Sequence, residues 1–200
     1  MLRSPLFLFT MARTDNLYTL PDNLPIPEDD GACNHLTGLL LPSLPLPATT
    51  NIWVNLSQWE GRTVVYAYPR TGEPDNDPPD GWDLIPGARG CTPQSCSFRD
   101  HYQELKELNA EVFGLSTQDT PYQQEATTRL HLPFPLLSDH HLQFANALNL
   151  PTFTVKGMTL LKRVTFIINN GTIEKVFYPV FPPDQSAEVV IAWLKANPAK

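Results

Sequence analysis

Two of the three cysteines in this 200-residue chain stand five positions apart, in the segment GCTPQSC at residues 90–96. Such a pair could bind a metal ion, form a structural disulfide, lie buried and inert, or be oxidised and reduced in turn. A zinc site needs four ligands, usually spaced by two to four residues within a pair. Beyond this pair, the chain offers only Cys33 and five scattered histidines. The cysteine count also excludes an iron–sulfur cluster held by four cysteines.

The surroundings of Cys91 favour a reactive thiol. The segment is polar, rich in Gly, Pro, Ser and Thr, and leads into a helical pattern, which is not typical of inert buried cysteines. A thiol at a helix N-terminus faces unpaired backbone N–H groups and the positive end of the helix dipole, and both favour the thiolate. The helix end alone stabilises the thiolate by only about 0.3–2 kcal/mol, which is too little to lower the pKa of a thiol strongly. A nearby cation is therefore also needed. Arginine is the best suited, since it stays charged and presents a fork of donors.

The spacing of the pair argues against a permanent bridge. If residues 91–96 are all helical, Cys91 and Cys96 differ by about 7.5 Å along the axis and by about 140° in direction. A disulfide needs Cα atoms within about 7 Å and side chains that point at each other. The two thiols therefore bridge only if the first helical turn unwinds.

The elements that must position these cysteines alternate between strand and helix patterns. Ile52–Leu56 and Thr63–Tyr68 are predicted strands, and the second is nearly all apolar, as a central strand covered on both faces is. Residues 97–109 are typical of an amphipathic helix. Alternating strand and helix patterns follow in AEVFGLST, TPYQQEATTRLH, FPLLSD and HLQFANALN. Asn170-Gly171 predicts a hairpin, and a last helix is predicted over about 186–196.

This order predicts an α/β fold with a mixed central sheet, flanked by helices and finished by an antiparallel pair. Ligand sites in such sheets lie at the carboxyl ends of strands, and Cys91 follows the strand that ends near Tyr68. Residues 1–37 show no sustained periodicity and are predicted to form a largely irregular N-terminal extension. The domain is predicted over 38–200, with a long inserted loop at about 72–88, where proline, glycine and aspartate are concentrated.

The charge and composition exclude several functional classes. A formal net charge of −7 argues against nucleic-acid binding, which requires a basic patch. No run approaches the ~20 apolar residues of a membrane span. The apolar run from Pro5 to Phe9 is shorter than that of a signal peptide, and an odd number of cysteines is atypical of a secreted disulfide framework. We therefore expect a cytoplasmic protein that contacts neither nucleic acid nor membrane.

GCTPQSCSFRDHYQEL resembles the active-site helix of the peroxiredoxin family, in particular its Q type, also called the bacterioferritin-comigratory type, an AhpC/TSA-like redoxin. The pattern of that type is Gly-Cys-Thr-x-x-x-Cys-x-Phe/Leu-Arg-Asp. The resemblance extends through most of residues 38–197 and includes RTVVYAYP, VFGLST, FPLLSD and KRVTFIINNGTIEKVF. It implies a thioredoxin-like fold and a thiol peroxidase.

The resemblance also implies roles for individual residues. Cys91 matches the peroxidatic cysteine, Cys96 the resolving cysteine, and Arg163 the arginine that stabilises the thiolate and orients the peroxide. Without the family, Arg163 would be interpreted as an ordinary strand-edge arginine. Cys33 matches nothing in the pattern and is predicted to be a spare thiol in the extension.

One position departs from the family pattern. Three residues before the peroxidatic cysteine the family has a Thr or Ser whose hydroxyl binds the peroxide, whereas this chain has Ala88. We expect that an insertion has split the motif, so that Thr71 or Thr92 supplies the hydroxyl instead. Arg89 either adds positive charge near the thiol or faces solvent.

The implied reaction requires no metal or organic cofactor. The Cys91 thiolate is oxidised to sulfenic acid by hydrogen peroxide or an organic hydroperoxide, Cys96 condenses with it, and thioredoxin or glutaredoxin reduces the disulfide. The chain is expected to be a monomer or a dimer. One alternative is a thioredoxin-like disulfide oxidoreductase, although such enzymes usually carry a Cys-x-x-Cys pair that this chain lacks. The other is a non-enzymatic peroxide or redox sensor, which would consume about one equivalent of peroxide rather than many.

Overall fold

The computed structural model describes residues 16–199, so residues 1–15 of the predicted extension lie outside the described part. Within that part, the strands are β1 (Pro45–Pro47), β2 (Trp53–Asn55), β3 (Arg62–Ala67), β4 (Ala110–Ser116), β5 (Leu136–Ser138), β6 (Thr152–Val155), β7 (Met158–Leu161), β8 (Val164–Asn169) and β9 (Thr172–Phe177). The α-helices are α1 (Cys91–Asp100), α2 (Tyr102–Glu107), α3 (Thr120–Leu130), α4 (Gln143–Ala147) and α5 (Ser186–Ala196). None of the helices in residues 16–199 is long and apolar enough to cross a membrane.

A five-stranded mixed sheet with the strand order β5-β4-β3-β8-β9 forms the centre of the fold. Strand β3 pairs in parallel with β4 and antiparallel with β8, and β9 completes an antiparallel hairpin with β8. Helices α1, α2, α3 and α5 cover one face of the sheet, while α4 and the segment before β3 cover the other. The predicted α/β fold with a mixed sheet and a terminal antiparallel pair is therefore confirmed.

Strand β3 lies in the middle of this sheet, and all six of its residues are buried. Val65 packs into the core beneath one face, whereas Val64 and Tyr66 pack into the core beneath the other face. A strand buried on both faces has no reason to alternate between polar and apolar residues. This explains why the apolar run in the sequence correctly predicted a central strand.

Gly114 of β4 allows the sheet to pack closely against helix α1. A Cβ atom at this position would lie 2.4 Å from Leu136 Cδ2 and 2.9 Å from Tyr66 Cζ. The Tyr66 ring stacks on Phe98 of α1 with 4.5 Å between the ring centroids. Its hydroxyl also donates a hydrogen bond to Ser95 Oγ over 3.1 Å. Because Gly114 has no side chain, the Tyr66 ring can lie close to β4 and contact the helix that begins with Cys91.

Three local features differ from the sequence predictions. The hairpin of β6 and β7 was not predicted, because it turns on Lys156-Gly157 rather than on an Asn-Gly pair, although both residues have the positive φ that such a turn requires. The predicted helix over 97–109 is interrupted at His101, which periodicity does not detect because the apolar spacing continues across the break. The first predicted strand shortens to β2, which pairs with β1 outside the central sheet.

The segment that leads into β1 packs on the core. Cys33, Leu36 and Leu41 are buried there, and Leu40 forms an isolated bridge to Thr172 at the start of β9. The predicted boundary between an extension over 1–37 and a domain over 38–200 remains a prediction.

Substituting Gly114→Ala should destabilise the protein by about 1–3 kcal/mol, the usual effect of forcing an extra methyl group into a close-packed core. The measurement is the midpoint of urea unfolding, followed by the fluorescence of the tryptophans. A midpoint equal to that of the wild type would contradict the close packing between β4, Tyr66 and α1.

Candidate active site

Cys91 is the first residue of helix α1, as the sequence predicted, and Gly90 caps this helix. Gly90 has φ 102°, and a Cβ atom there would lie 2.4 Å from Pro183 Cγ and 2.8 Å from Leu20 Cδ2. Only glycine fits this combination of a left-handed backbone and close neighbours. The helix therefore begins sharply, with Cys91 in its first turn.

The Cys91 thiol is almost fully buried, with 3% of the residue exposed. Arg163 Nη2 lies 3.2 Å from Cys91 Sγ, and the backbone N–H of Arg70 donates to the same sulfur over 3.4 Å. The carbonyl oxygen of Ala88 is 3.6 Å from Sγ. Two N–H donors and the helix N-terminus thus face the sulfur, an arrangement that suits a negatively charged atom.

The Arg163 side chain, placed directly before β8, is 3% exposed, unlike an ordinary strand-edge arginine. Its Nη2 also faces the carbonyl oxygens of residues 87, 88 and 89 at 3.2–3.3 Å, and its Nη1 donates to Gln94 Oε1. Its Nε is buried and has no hydrogen-bond partner in the described part of the chain. No carboxylate among residues 16–199 forms an ion pair with this guanidinium. Within the described chain, no ion pair therefore offsets its positive charge, which lies beside the Cys91 sulfur.

Gln94, which the sequence analysis did not single out, connects the arginine to the rest of the fold. The side chain is fully buried and donates from Nε2 to Ser186 Oγ, the first residue of α5, over 3.2 Å. Ser186 Oγ in turn lies 3.4 Å from Thr165 Oγ1 of β8. A buried series of polar contacts thus connects Arg163 to Gln94 of α1, to Ser186 of α5 and back to the central sheet.

The structure brings both predicted hydroxyl residues to the pocket that contains Cys91. Thr71 is fully buried, and its hydroxyl donates to Gln118 Oε1 over 3.1 Å. Thr92 Oγ1 is buried and has no hydrogen-bond partner within residues 16–199. Ala88 contributes only its backbone carbonyl to the site. The chain between Thr71 and Cys91 loops out, so residues distant in sequence line one pocket.

Arg89 lies between the inserted loop and the N-terminal segment, which is the first described part of the chain around Asn16 and Leu17. The residue is 6% exposed, and its guanidinium donates to the Asn16 carbonyl over 2.9 Å and to Asp83 Oδ1 over 3.4 Å. The interpretation that this side chain faces solvent is therefore wrong. It lines the same pocket as Cys91.

Cys96 lies on the same helix as Cys91, and both thiols are free. It is half-buried against the core that α1 shares with the sheet, and this burial raises the pKa of its thiol, opposed by the charge of Arg99. Residues 91–100 are helical without interruption. The helical separation of the two thiols expected from their spacing therefore applies.

Cys33 belongs to the opposite core and does not line the pocket of Cys91. It is 5% exposed, and burial raises the pKa of its thiol to about 12. A buried thiol with so little thiolate at neutral pH is chemically inert. Its surroundings agree with the prediction of a spare thiol.

Comparisons with known proteins identify the family. The Redoxin family model matches residues 30–191. Bcp of Escherichia coli K12, a peroxiredoxin, is 31% identical over 165 residues, which cover 80% of this chain and 96% of that protein. The chain belongs to the peroxiredoxin family, in its Q/Bcp group.

Further comparisons support the same conclusion. The chloroplastic peroxiredoxin Q of Oryza sativa subsp. japonica is 32% identical over 150 residues, or 74% of this chain. The chain spans only 61% of the length of that relative. The crystal structure of peroxidoxin BcpB from Mycobacterium tuberculosis superposes with a TM-score of 0.67 at 27% identity, covering 82% of this chain and all of that one. This peroxiredoxin therefore has the predicted thioredoxin-like fold.

Substituting Thr92→Val should lower the second-order rate constant for hydrogen peroxide by about tenfold or more, if its unpaired hydroxyl binds the peroxide. Thermal stability should stay equal or rise, because an unpartnered buried polar atom is removed. The rate is measured by stopped-flow mixing of reduced protein with peroxide.

Thr63→Val is the matched control, since Thr63 Oγ1 of β3 is also buried without a hydrogen-bond partner in the described chain but does not line the pocket. An unchanged rate in Thr92→Val would exclude this hydroxyl from peroxide binding.

Proposed function

We propose that this chain is a thiol-dependent peroxidase in which Cys91 is the peroxidatic and Cys96 the resolving cysteine. The observation that carries the proposal is the position of Cys91 Sγ, which two N–H donors face at 3.2 and 3.4 Å in a small pocket. Family membership supports the same reaction type. Hydrogen peroxide and organic hydroperoxides share the O–O bond that such a thiol attacks.

In the first step, the Cys91 thiolate attacks one oxygen of the peroxide. An S–O bond forms, the O–O bond breaks, and the sulfur gives up two electrons to become sulfenic acid. The departing oxygen takes up a proton and leaves as water, or as an alcohol when the substrate is organic. Arg163 and the Arg70 backbone N–H support this step, because fixed donors stabilise negative charge as it moves from sulfur to the leaving oxygen.

We assign the orientation of the peroxide to the two threonine hydroxyls. The Thr71 proton is used in its bond to Gln118, which leaves the Thr71 oxygen free to accept a hydrogen bond from a peroxide O–H. The Thr92 hydroxyl, without a partner among the described residues, can donate or accept. Together they replace the hydroxyl that is missing at Ala88.

In the second step, Cys96 attacks the sulfenic sulfur, forming the S–S bond and releasing the oxygen as water. The first turn of α1 must unwind, which breaks the contacts of Gln94 with Arg163 and Ser186 and the hydrogen bond from Tyr66 to Ser95. Since burial is the main cause of the raised pKa of Cys96, exposure should return it towards its ordinary value. Unwinding thus brings the thiols together and also makes the Cys96 thiolate more available.

In the third step, an external dithiol reduces the disulfide by exchange, and its own two thiols become a disulfide. We propose thioredoxin or glutaredoxin for this role in a cytoplasmic setting, where such dithiols are kept reduced. Continued turnover distinguishes this enzyme from a redox sensor, which would stop after about one equivalent.

Peroxide consumption with thioredoxin, thioredoxin reductase and NADPH tests the assignment. Wild type should turn over many equivalents, Cys91→Ser should consume none, and Cys96→Ser should stop after about one because no disulfide forms for thioredoxin to reduce. Cys33→Ser is the matched control and should retain full activity. Undiminished turnover by Cys91→Ser would refute the peroxidatic role, and undiminished turnover by Cys96→Ser would refute the resolving role.

A further inference from the structure

Two segments cover the pocket above Cys91. One is the N-terminal segment, which contributes Leu17, and the other is the inserted loop, which contributes Pro78, Pro79 and Trp82. We refer to these two segments together as the cover. These apolar side chains line the same pocket as Thr71 and Thr92.

The pocket under the cover is small. The space left for the centres of water-sized molecules is about 30 Å³, whereas a neighbouring cavity lined by Tyr122 and Met158 leaves about 400 Å³. One bound water needs about 10–15 Å³ on this measure. The pocket therefore leaves room beside Sγ for the two oxygen atoms of hydrogen peroxide, whereas a tert-butyl or cumyl group would lie against the side chains of the cover.

The cover is anchored at both segments. Arg89 donates to the Asn16 carbonyl of the N-terminal segment over 2.9 Å and to Asp83 of the loop over 3.4 Å. Trp82 is 6% exposed and packs in a small core with Ala88 and Leu160, near the ring of Phe153. Arg89 and Ala88 both belong to the turn before Cys91, so the cover is fixed to the same turn as the thiol.

We infer that the cover makes this enzyme selective for hydrogen peroxide over bulky organic hydroperoxides, with Leu17 and Trp82 as specificity-determining residues. The inference rests on the proposed peroxidase function. A bulky hydroperoxide reaches Sγ only after the cover is displaced, which breaks the Arg89 contacts or exposes Trp82. Hydrogen peroxide needs no such displacement.

The test is the second-order rate constant for oxidation of the reduced protein by hydrogen peroxide and by cumene hydroperoxide, measured by stopped flow without any reductant. In the wild type, we expect hydrogen peroxide to react at least about 10²-fold faster, the upper part of the range for discrimination by pocket size. Leu17→Ala should speed the reaction with cumene hydroperoxide about tenfold or more while changing that with hydrogen peroxide less than about threefold.

Leu84→Ala is the matched control, because Leu84 lies on the same inserted loop, is 80% exposed and does not line the pocket. It should leave both rate constants unchanged. Trp82→Ala is the second variant and should also favour cumene hydroperoxide, with unfolding midpoints recorded for all variants.

Similar rate constants for the two peroxides in the wild type would overturn the inference. So would an unchanged ratio in both folded variants, Leu17→Ala and Trp82→Ala. A wild-type protein that reacts with neither peroxide would instead overturn the proposed function, and the inference with it.

Discussion

The contact between the Arg163 guanidinium and Cys91 Sγ is the interaction on which the rest of the site depends. The planar guanidinium group contacts the sulfur, three consecutive carbonyl oxygens before α1, and Gln94 within α1. Arginine suits this role because its donors have fixed geometry and its charge persists when buried. The same group that lies beside the sulfur therefore also contacts the turn that presents the thiol.

This arrangement places two opposing demands on the first turns of α1. In the proposed mechanism, peroxide attack requires the turns to be held, so that the donors and Sγ stay aligned, whereas disulfide formation requires them to open. The contacts that hold them include polar side-chain bonds of Gln94 and Ser95. The neutral bonds contribute only about 0.5–1.5 kcal/mol each, and the bond from the charged Arg163 to Gln94 about 1.5–3 kcal/mol, because water replaces them on opening. A helix start held in this way can open locally while the sheet beneath it stays folded.

Much of the fold could be predicted from local patterns. The apolar run of β3, the helix that starts at Cys91 and the Asn170-Gly171 hairpin are signals within a few residues, and each appears in the structure. The roles suggested for Cys96 and Arg163 came from the family resemblance rather than from the residues alone. The interruption at His101 went unpredicted because the apolar spacing continues across it, and the turn on Lys156-Gly157 because it lacks the Asn-Gly signal.

Parts of the site were beyond reach of sequence reasoning for a physical reason. Arg70 contacts Cys91 through its backbone N–H, and a backbone donor leaves no mark on residue type. Gln94 occupies a variable position of the family pattern, so its bond to Arg163 is visible only in three dimensions. The shared pocket of Thr71 and Thr92 depends on how the inserted loop folds out of the motif.

The most direct test of this account is peptide mapping by mass spectrometry of reduced protein, alkylated after one equivalent of hydrogen peroxide. The account predicts an intrachain disulfide between Cys91 and Cys96, with Cys33 recovered as a free thiol. Recovery of Cys91 as a free thiol, or a disulfide that includes Cys33, would contradict it.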